Sequence, residues 1–401
     1  MPWMSASDID QWMSIGRLVF DPQQEGRLWF GEGMGVWRTD DVFGSTGDVV
    51  WELESDGIEQ LVTADMVAPP GGDPVSVVAD RQGFHHTDLS RSPGAPLVDE
   101  RFAGGSDIDY AGQDPQDLVW IGSEYNVYWD PDREARAAFS SDGGASWTEL
   151  PNLVPEMFAG NVAVSATDPR NIVWLPSYFI NPWEYEGLPK GIFVTKDLGE
   201  NWTTLDDVGG SNRFHRLSWW LTRQALASDK VDGGVFYLYD DEERFFVSVD
   251  GGESWEAAPN SPPCREANAC HVFGQLKASP DRAGELWASV GDDGLYRSGD
   301  RGETPWQKVP GVDSVRAFGF GAPLPGSDRP AIYLDGRANG DPQLGLWRSG
   351  DDGATWQLIG RYPLGLYKDV NVVNGDMNVP GRVYVGFSGT GFAYGDDTAL
   401  S

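Results

Sequence analysis

Five segments of the chain follow one pattern, S/T-x-D-x-G-x-S/T/N-W: Ser140 to Trp147, Thr195 to Trp202, Ser248 to Trp255, Ser298 to Trp306 (with Pro305 as one extra residue) and Ser349 to Trp356. Their aspartates, Asp142, Asp197, Asp250, Asp300 and Asp351, lie 55, 53, 50 and 51 residues apart. A near-constant period of that length marks a repeat architecture. The chemistry of the pattern is that of a tight turn. The carboxylate can accept backbone N–H groups, the glycine supplies a positive φ, and the tryptophan covers the hairpin where the next strand begins. The motif is an Asp-box, and its recurrence in unit after unit assigns these aspartates to scaffold rather than to catalysis or metal binding.

An apolar strand precedes each box: Leu118 to Ile121, Ile172 to Leu175, Val235 to Leu238, Leu286 to Ala288 and Ala331 to Leu334. The same kind of strand recurs at Arg27 to Phe30, Val75 to Val78 and Arg382 to Val385, where no clean box follows, and extends the repeat to both ends. A further strand runs into each turn and another leaves it, giving four short antiparallel strands per unit. The expected fold is all-β: one β-propeller over residues 1–401 with about seven or eight blades. The blades are placed at 14–56, 57–100, 101–152, 153–208, 209–260, 261–312 and 313–362. The remaining 363–401 reads as three strands that close the ring on the N-terminal segment, form an eighth blade or belong to a neighbouring domain.

Composition narrows the partners. Sixty-two acidic against 29 basic residues give a net charge of −33, which repels phosphate backbones and anionic membrane surfaces, so neither nucleic acid nor membrane is expected as a partner. No stretch approaches the length of a membrane span, and Met1 to Asp8 carries no basic-then-apolar leader. A secreted protein whose leader is absent from the chain is expected. The two cysteines, Cys264 and Cys270, are expected to form a loop disulfide, because His271 beside them supplies only a third metal ligand. No metal and no cofactor are expected.

With the repeats set out, several segments between them resemble the C-terminal half of glycoside hydrolase family 74, the xyloglucanases and related endo-glucanases. The resemblance runs through Gly57 to Gln60, Ala68 to Gly71, Asp80-Arg81-Gln82-Gly83-Phe84-His85-His86-Thr87-Asp88-Leu89, Ile108 to Ala111, Phe318 to Gly321 and Gly381 to Gly386. It implies one of two facing propellers, with a β-1,4-glucan such as xyloglucan held between them. It further implies an inverting reaction in which one carboxyl protonates the departing oxygen and another, about 6.5–9.5 Å away, activates water. Asp80 matches the family's D-x-G-G-F aspartate and is the implied acid, although Gln82 stands where the family has glycine. The partner carboxylate belongs to the other propeller in that family, which leaves room for a second propeller domain or chain. Within this chain Asp88, Asp107, Asp109 and Glu124 are candidates for it, and Asp109 is carried forward beside Asp80.

Aromatic residues in the insertions between strands are candidate sugar platforms: Tyr125, Tyr128 and Trp129; Tyr178 and Trp183; and Trp219 and Trp220. His85 and His86 join them as substrate-binding candidates. Adjacent residues of a strand face opposite ways, so at most one of the two enters a shared site. Two other readings remain open at this level: a non-catalytic carbohydrate- or protein-binding propeller, and a lyase of acidic polysaccharides using His85 or His86 with Tyr110, Arg213 and His215.

Overall fold

The computed structural model describes residues 15–33, 35–55, 57–79, 81–98, 102–124, 135–154, 158–177, 191–206, 208, 224–240, 243–264, 274–361 and 369–397. These residues are all-β, with no helix among them, and pair into eight antiparallel sheets in chain order. From first to eighth the sheets span 18–53, 63–85, 102–149, 158–205, 226–257, 275–308, 312–360 and 370–395. The second and eighth have three strands and the others four. The arrangement is propeller-like.

The second strand of a sheet lies between two neighbouring sheets, which is why these strands read as unbroken apolar runs rather than alternating ones. Val75–Val78, Phe236–Tyr239 and Leu286–Ser289 are buried on both faces. Trp120, Trp174 and Trp287, each in such a strand, are fully buried.

Each repeated turn is closed by its own polar groups. In the first, Asp142 Oδ1 accepts the Ser146 N–H at 2.8 Å and Oδ2 accepts the Ser146 hydroxyl at 2.6 Å. Gly144, at φ 93°, donates its N–H to Ser140 Oγ, and the Trp147 indole caps the Gly144 carbonyl at 3.0 Å. At Asp300 the hydrogen bond from the Thr304 hydroxyl comes first in holding the carboxylate below its ordinary value. Stability from that bond is present above the ordinary aspartate pKa and is lost as pH falls through the depressed one. Asp300→Ala is expected to cost about 1 kcal/mol at neutral pH, since the turn is exposed and screened, and to leave function untouched; urea unfolding measures it.

Polar side chains on the first strand of a sheet tie it to the next sheet. From third to fourth, Asp107 and Asp109 accept the Val162 and Val164 N–H groups at 2.9 and 3.0 Å. From fourth to fifth, Asn161 accepts the Ala225 N–H. Gln224 and Gln275 form a parallel bridge between fifth and sixth, and Gln275 Oε1 accepts the Phe318 N–H of the seventh. Ala322 donates to the Asp376 carbonyl of the eighth. The eighth sheet then returns to the second: Asn371 and Asn374 donate to the Thr63 and Met66 carbonyls, and the Thr63 hydroxyl donates to the Phe387 carbonyl. The tail of the chain thus forms a sheet of its own that packs on the second sheet, and its strands are not added to the sheet of residues 18–53.

That first sheet differs from the rest. Its ion pairs, Arg27 with Asp21 and Asp40, and Arg38 with Glu52 and Glu54, are internal, as is the packing of Phe30 on Trp37 and Trp51. Its first strand, Leu18–Phe20, is apolar and wholly exposed, whereas Val370–Gly375 in the equivalent place of the eighth sheet is mostly buried. Cys264 is disulfide-bonded, and Cys270, the only other cysteine of the sequence, lies outside the described residues. No helix of the described residues is long and apolar enough to cross a membrane.

Candidate functional site

Asp80 itself lies outside the described residues, but the chain on both sides of it is fixed. It falls between strands Val75–Val78 and Gly83–His85, which pair with Val77 opposite Gly83. Before it, the Ala79 N–H donates to the Val62 carbonyl at 2.8 Å. After it, the Arg81 carbonyl accepts the Gly105 N–H at 3.2 Å, the Gln82 carbonyl accepts the Trp120 indole N–H at 2.9 Å, and the Gly83 carbonyl accepts the Leu97 N–H at 2.9 Å. Gly83 is at φ 131°, and a Cβ there would lie 1.9 Å from the Ser76 carbonyl oxygen. Glycine is therefore the residue this turn requires. Arg81 and Gln82 are buried.

Strand directions separate the remaining candidates. Thr63 pairs with Val78 and Val67 with Val75, so the Asp80 connection leaves from the Thr63 end of the second sheet. Phe102–Ala111 starts at that same end, where Gly105 meets Arg81, and runs away from it. Asp109 therefore lies toward the far end. Its carboxylate accepts the Val164 N–H and the Ser228 hydroxyl at 3.0 Å and is ion-paired with Lys230, which also donates to the Tyr110 carbonyl. With both oxygens engaged in tying sheets together, Asp109 has the environment of a structural carboxylate. Asp88 is on an exposed turn, bonded to Ser90. Glu124 ends the strand Asp114–Glu124 on the Asp80 side.

Tyr125, Tyr128, Trp129, Tyr178, Trp183, Trp219 and Trp220 lie outside the described residues, as do Arg213 and His215. The first five fall between the second and third strands of the third and fourth sheets, the same connection that carries Asp80 in the second. His85 and His86 fall at the opposite end. His85 Nε2 is 3.6 Å from the Asp73 carboxylate, while His86 bonds Ser76 Oγ at 2.8 Å between the rings of Phe84 and Phe392. Burial first, and the neighbouring His85 second, lower the His86 pKa to about 4, so this ring is neutral at physiological pH. Contrary to the strand alternation expected of them, both histidines line one groove, because the strand Gly83–His85 ends before His86.

Two cavities frame these residues. One, of about 110 Å³, lies where the first strands converge and is lined by Asp65, Asp107, Asp109, Tyr110, Lys230 and Lys277. The Asp65 and Asp107 carboxyls lie beside each other at this cavity. Burial, and for Asp107 also the Asp65 charge, raises both carboxyl pKa values; burial also lowers that of the Lys277 ammonium. The other is an open groove of about 830 Å³ at the far end of the second, third and eighth sheets, lined among others by Asp73, His85, Arg382 and Tyr394. Sequence reading missed Asp65, Lys277 and Tyr394. The signal for the first two is a polar residue at alternate positions of the first strand in sheet after sheet, and Tyr394 carries none that separates it from other strand aromatics. No group of three or more His, Cys, Asp or Glu among the described residues is arranged to hold a metal ion.

Sheets of this order define a propeller-like scaffold. Known proteins narrow the class. No family model matches the chain. The protein named Xyloglucanase Xgh74A of Acetivibrio thermocellus is 32% identical over 392 residues, which is 96% of this chain and 41% of that protein. The oligoxyloglucan-reducing end-specific xyloglucanase of Emericella nidulans is 28% identical over 99% of the chain and 50% of its own length. Among solved structures, the GH74 xyloglucanase of Xanthomonas campestris superposes with a TM-score of 0.76 at 28% identity, over 99% of this chain and 52% of that one. The GH74 enzyme of Niastella koreensis gives 0.72 at 26% identity, over 95% and 49%. The chain is a GH74-like protein that spans about half the length of the relatives it matches.

Proposed function

We propose that the chain is one propeller of a two-propeller glycoside hydrolase that acts on xyloglucan outside the cell, with Asp80 as general acid. The observation that carries this is the turn around residue 80, whose flanking carbonyls are held by Gly105, Trp120 and Leu97 from the third sheet and its approach. A catalytic carboxyl needs that fixity, because a misplacement of about 1 Å can cost about 100-fold in rate. The second to eighth sheets are read as seven blades of one ring. The first sheet stands outside it, its exposed strand Leu18–Phe20 available to the second propeller.

In this reading a glucan chain lies across the Asp80 end of the ring, on the aromatic residues of the connections there. Asp80 donates its proton to the glycosidic oxygen as the bond breaks. A carboxylate about 6.5–9.5 Å away removes a proton from the water that attacks the opposite face of the sugar. Asp109 is already occupied, and the burial that raises the Asp107 pKa disfavours the ionised form a base needs, so the base is assigned to the second propeller. Formate can stand in for that missing carboxylate. Reducing-end release from xyloglucan is expected to be slow for the chain alone, to rise with formate, and to fall at least about 100-fold in Asp80→Asn. Release that ignores both formate and Asp80→Asn would overturn the assignment, and failure of xyloglucan to bind the chain at all would overturn the function.

A further inference from the structure

The open groove at the far end of the sheets takes no part in the proposed reaction, yet it is built like a binding site. Its volume of about 830 Å³ falls in the range that takes an extended small ligand. Its walls come from different sheets. Asn378 of the eighth sheet donates to the Pro69 and Gly72 carbonyls and accepts the Gly71 N–H, which clamps that sheet to the hairpin carrying Asp73. His85 comes from the third strand of the second sheet, and Tyr394 from the last strand of the eighth, Phe392–Gly395.

The chemistry of the lining selects the ligand. Tyr394 is 46% exposed although the Arg382 guanidinium lies 5.5 Å from its ring centroid, so much of an aromatic surface remains open to the groove. Arg382 is bound in bidentate fashion by Asp396, at 2.6 and 2.9 Å, which leaves it little charge to offer an anion. Asp73, Asp88, Asp142 and Asp376 add negative charge and would repel phosphate or uronate groups. A metal ion is not served either, since the described carboxylates and histidines make no three-ligand cluster. What remains is a neutral ligand with an apolar face for the ring and hydroxyls for carboxylate, imidazole and amide groups.

We propose that this groove is a second, non-catalytic glycan site, in which one or more sugar rings of a neutral polysaccharide lie on Tyr394 while Asp73 and His85 accept and donate hydrogen bonds to their hydroxyls. It holds polymer on the face of the propeller opposite Asp80. The identity of the glycan as xyloglucan rests on the proposed function, whereas the groove and its preference for neutral sugars do not.

Affinity electrophoresis in gels containing xyloglucan, galactomannan or polygalacturonate tests it, with wild type, Tyr394→Ala, His85→Ala and Asp80→Asn run side by side. Tyr394 is exposed, and unchanged thermal unfolding confirms that its variant is folded. Retardation by xyloglucan is expected to weaken about fivefold or more in Tyr394→Ala, also to weaken in His85→Ala, and to persist in Asp80→Asn; polygalacturonate should not retard the protein. Retardation that is unchanged in both groove variants, or absent from both neutral gels, overturns the groove. Tyr394-dependent retardation by galactomannan without any by xyloglucan keeps the groove and overturns the proposed substrate. Tyr394-dependent retardation by polygalacturonate overturns the assignment to neutral sugars.

Discussion

Trp120→Ala is expected to lower stability by about 3–5 kcal/mol, the largest loss from any single side chain at the junction of the second and third sheets. The indole is fully buried among Val75, Val77, Ile108, Leu118 and Ala138. It fits because Gly105 and Gly122 have no side chains: a Cβ at Gly122 would lie 2.2 Å from the indole ring, and one at Gly105 3.0 Å from its nitrogen. The same indole N–H holds the Gln82 carbonyl, two residues past Asp80. Core and candidate site therefore share one side chain. Trp120→Phe keeps most of the packing and loses the N–H, so its stability cost is expected to be smaller while hydrolysis still falls. Urea denaturation with a reducing-end assay on both variants separates the effects. A cost under about 1 kcal/mol for the alanine variant would contradict this packing.

Asp107→Asn is expected to stabilise the protein at neutral pH, the reverse of the usual outcome for a buried polar residue. In the folded chain the Asp107 pKa lies well above its ordinary 3.8 because of burial and the Asp65 charge. Its contribution is fully favourable below the ordinary value and is lost as pH rises toward the raised one, because the unfolded chain releases the proton that the folded chain keeps. Asparagine reproduces the protonated form. Its oxygen can still accept the Val162 N–H that Asp107 accepts, and its amide can donate to Asp65. The groups facing the pair, Lys277, Asp109 and Lys230, stay in place. The midpoint of thermal unfolding should rise at about pH 7 relative to wild type, with the difference shrinking toward about pH 4. A variant less stable than wild type at pH 7 would show that Asp107 is ionised and acts through an ion pair.

The scaffold was legible in the sequence because its signals are local and repeated. The aspartate turns announce themselves by spacing, and strands such as Leu286–Ser289 are apolar throughout because both faces are covered. The order of closure was less legible. The tail packs on the second sheet through single amides, Asn371 and Asn374, whose partners are about 300 residues away and leave no periodic trace. The site was legible only in part. Resemblance could point to Asp80, but strand alternation did not separate His85 from His86, which line one groove, and which end of a strand a residue occupies depends on pairing partners. For that reason Asp109, inside a matching segment, is found tied to Val164, Ser228 and Lys230, and His85 faces a groove at the end away from Asp80. The Asp65–Asp107 pair escaped because two carboxyls from different sheets meet only once the first strands converge.

The central claim is that Asp80 protonates a β-1,4-glucan in an inverting hydrolysis. Proton NMR of xyloglucan incubated with the chain and formate, followed from the first minutes, tests it most directly, because the anomer formed first reports the stereochemistry before mutarotation blurs it. New reducing ends are predicted to appear as the α-anomer and to be suppressed in Asp80→Asn. First-formed β-anomer, α-anomer that persists undiminished in Asp80→Asn, or no new reducing ends would each contradict it.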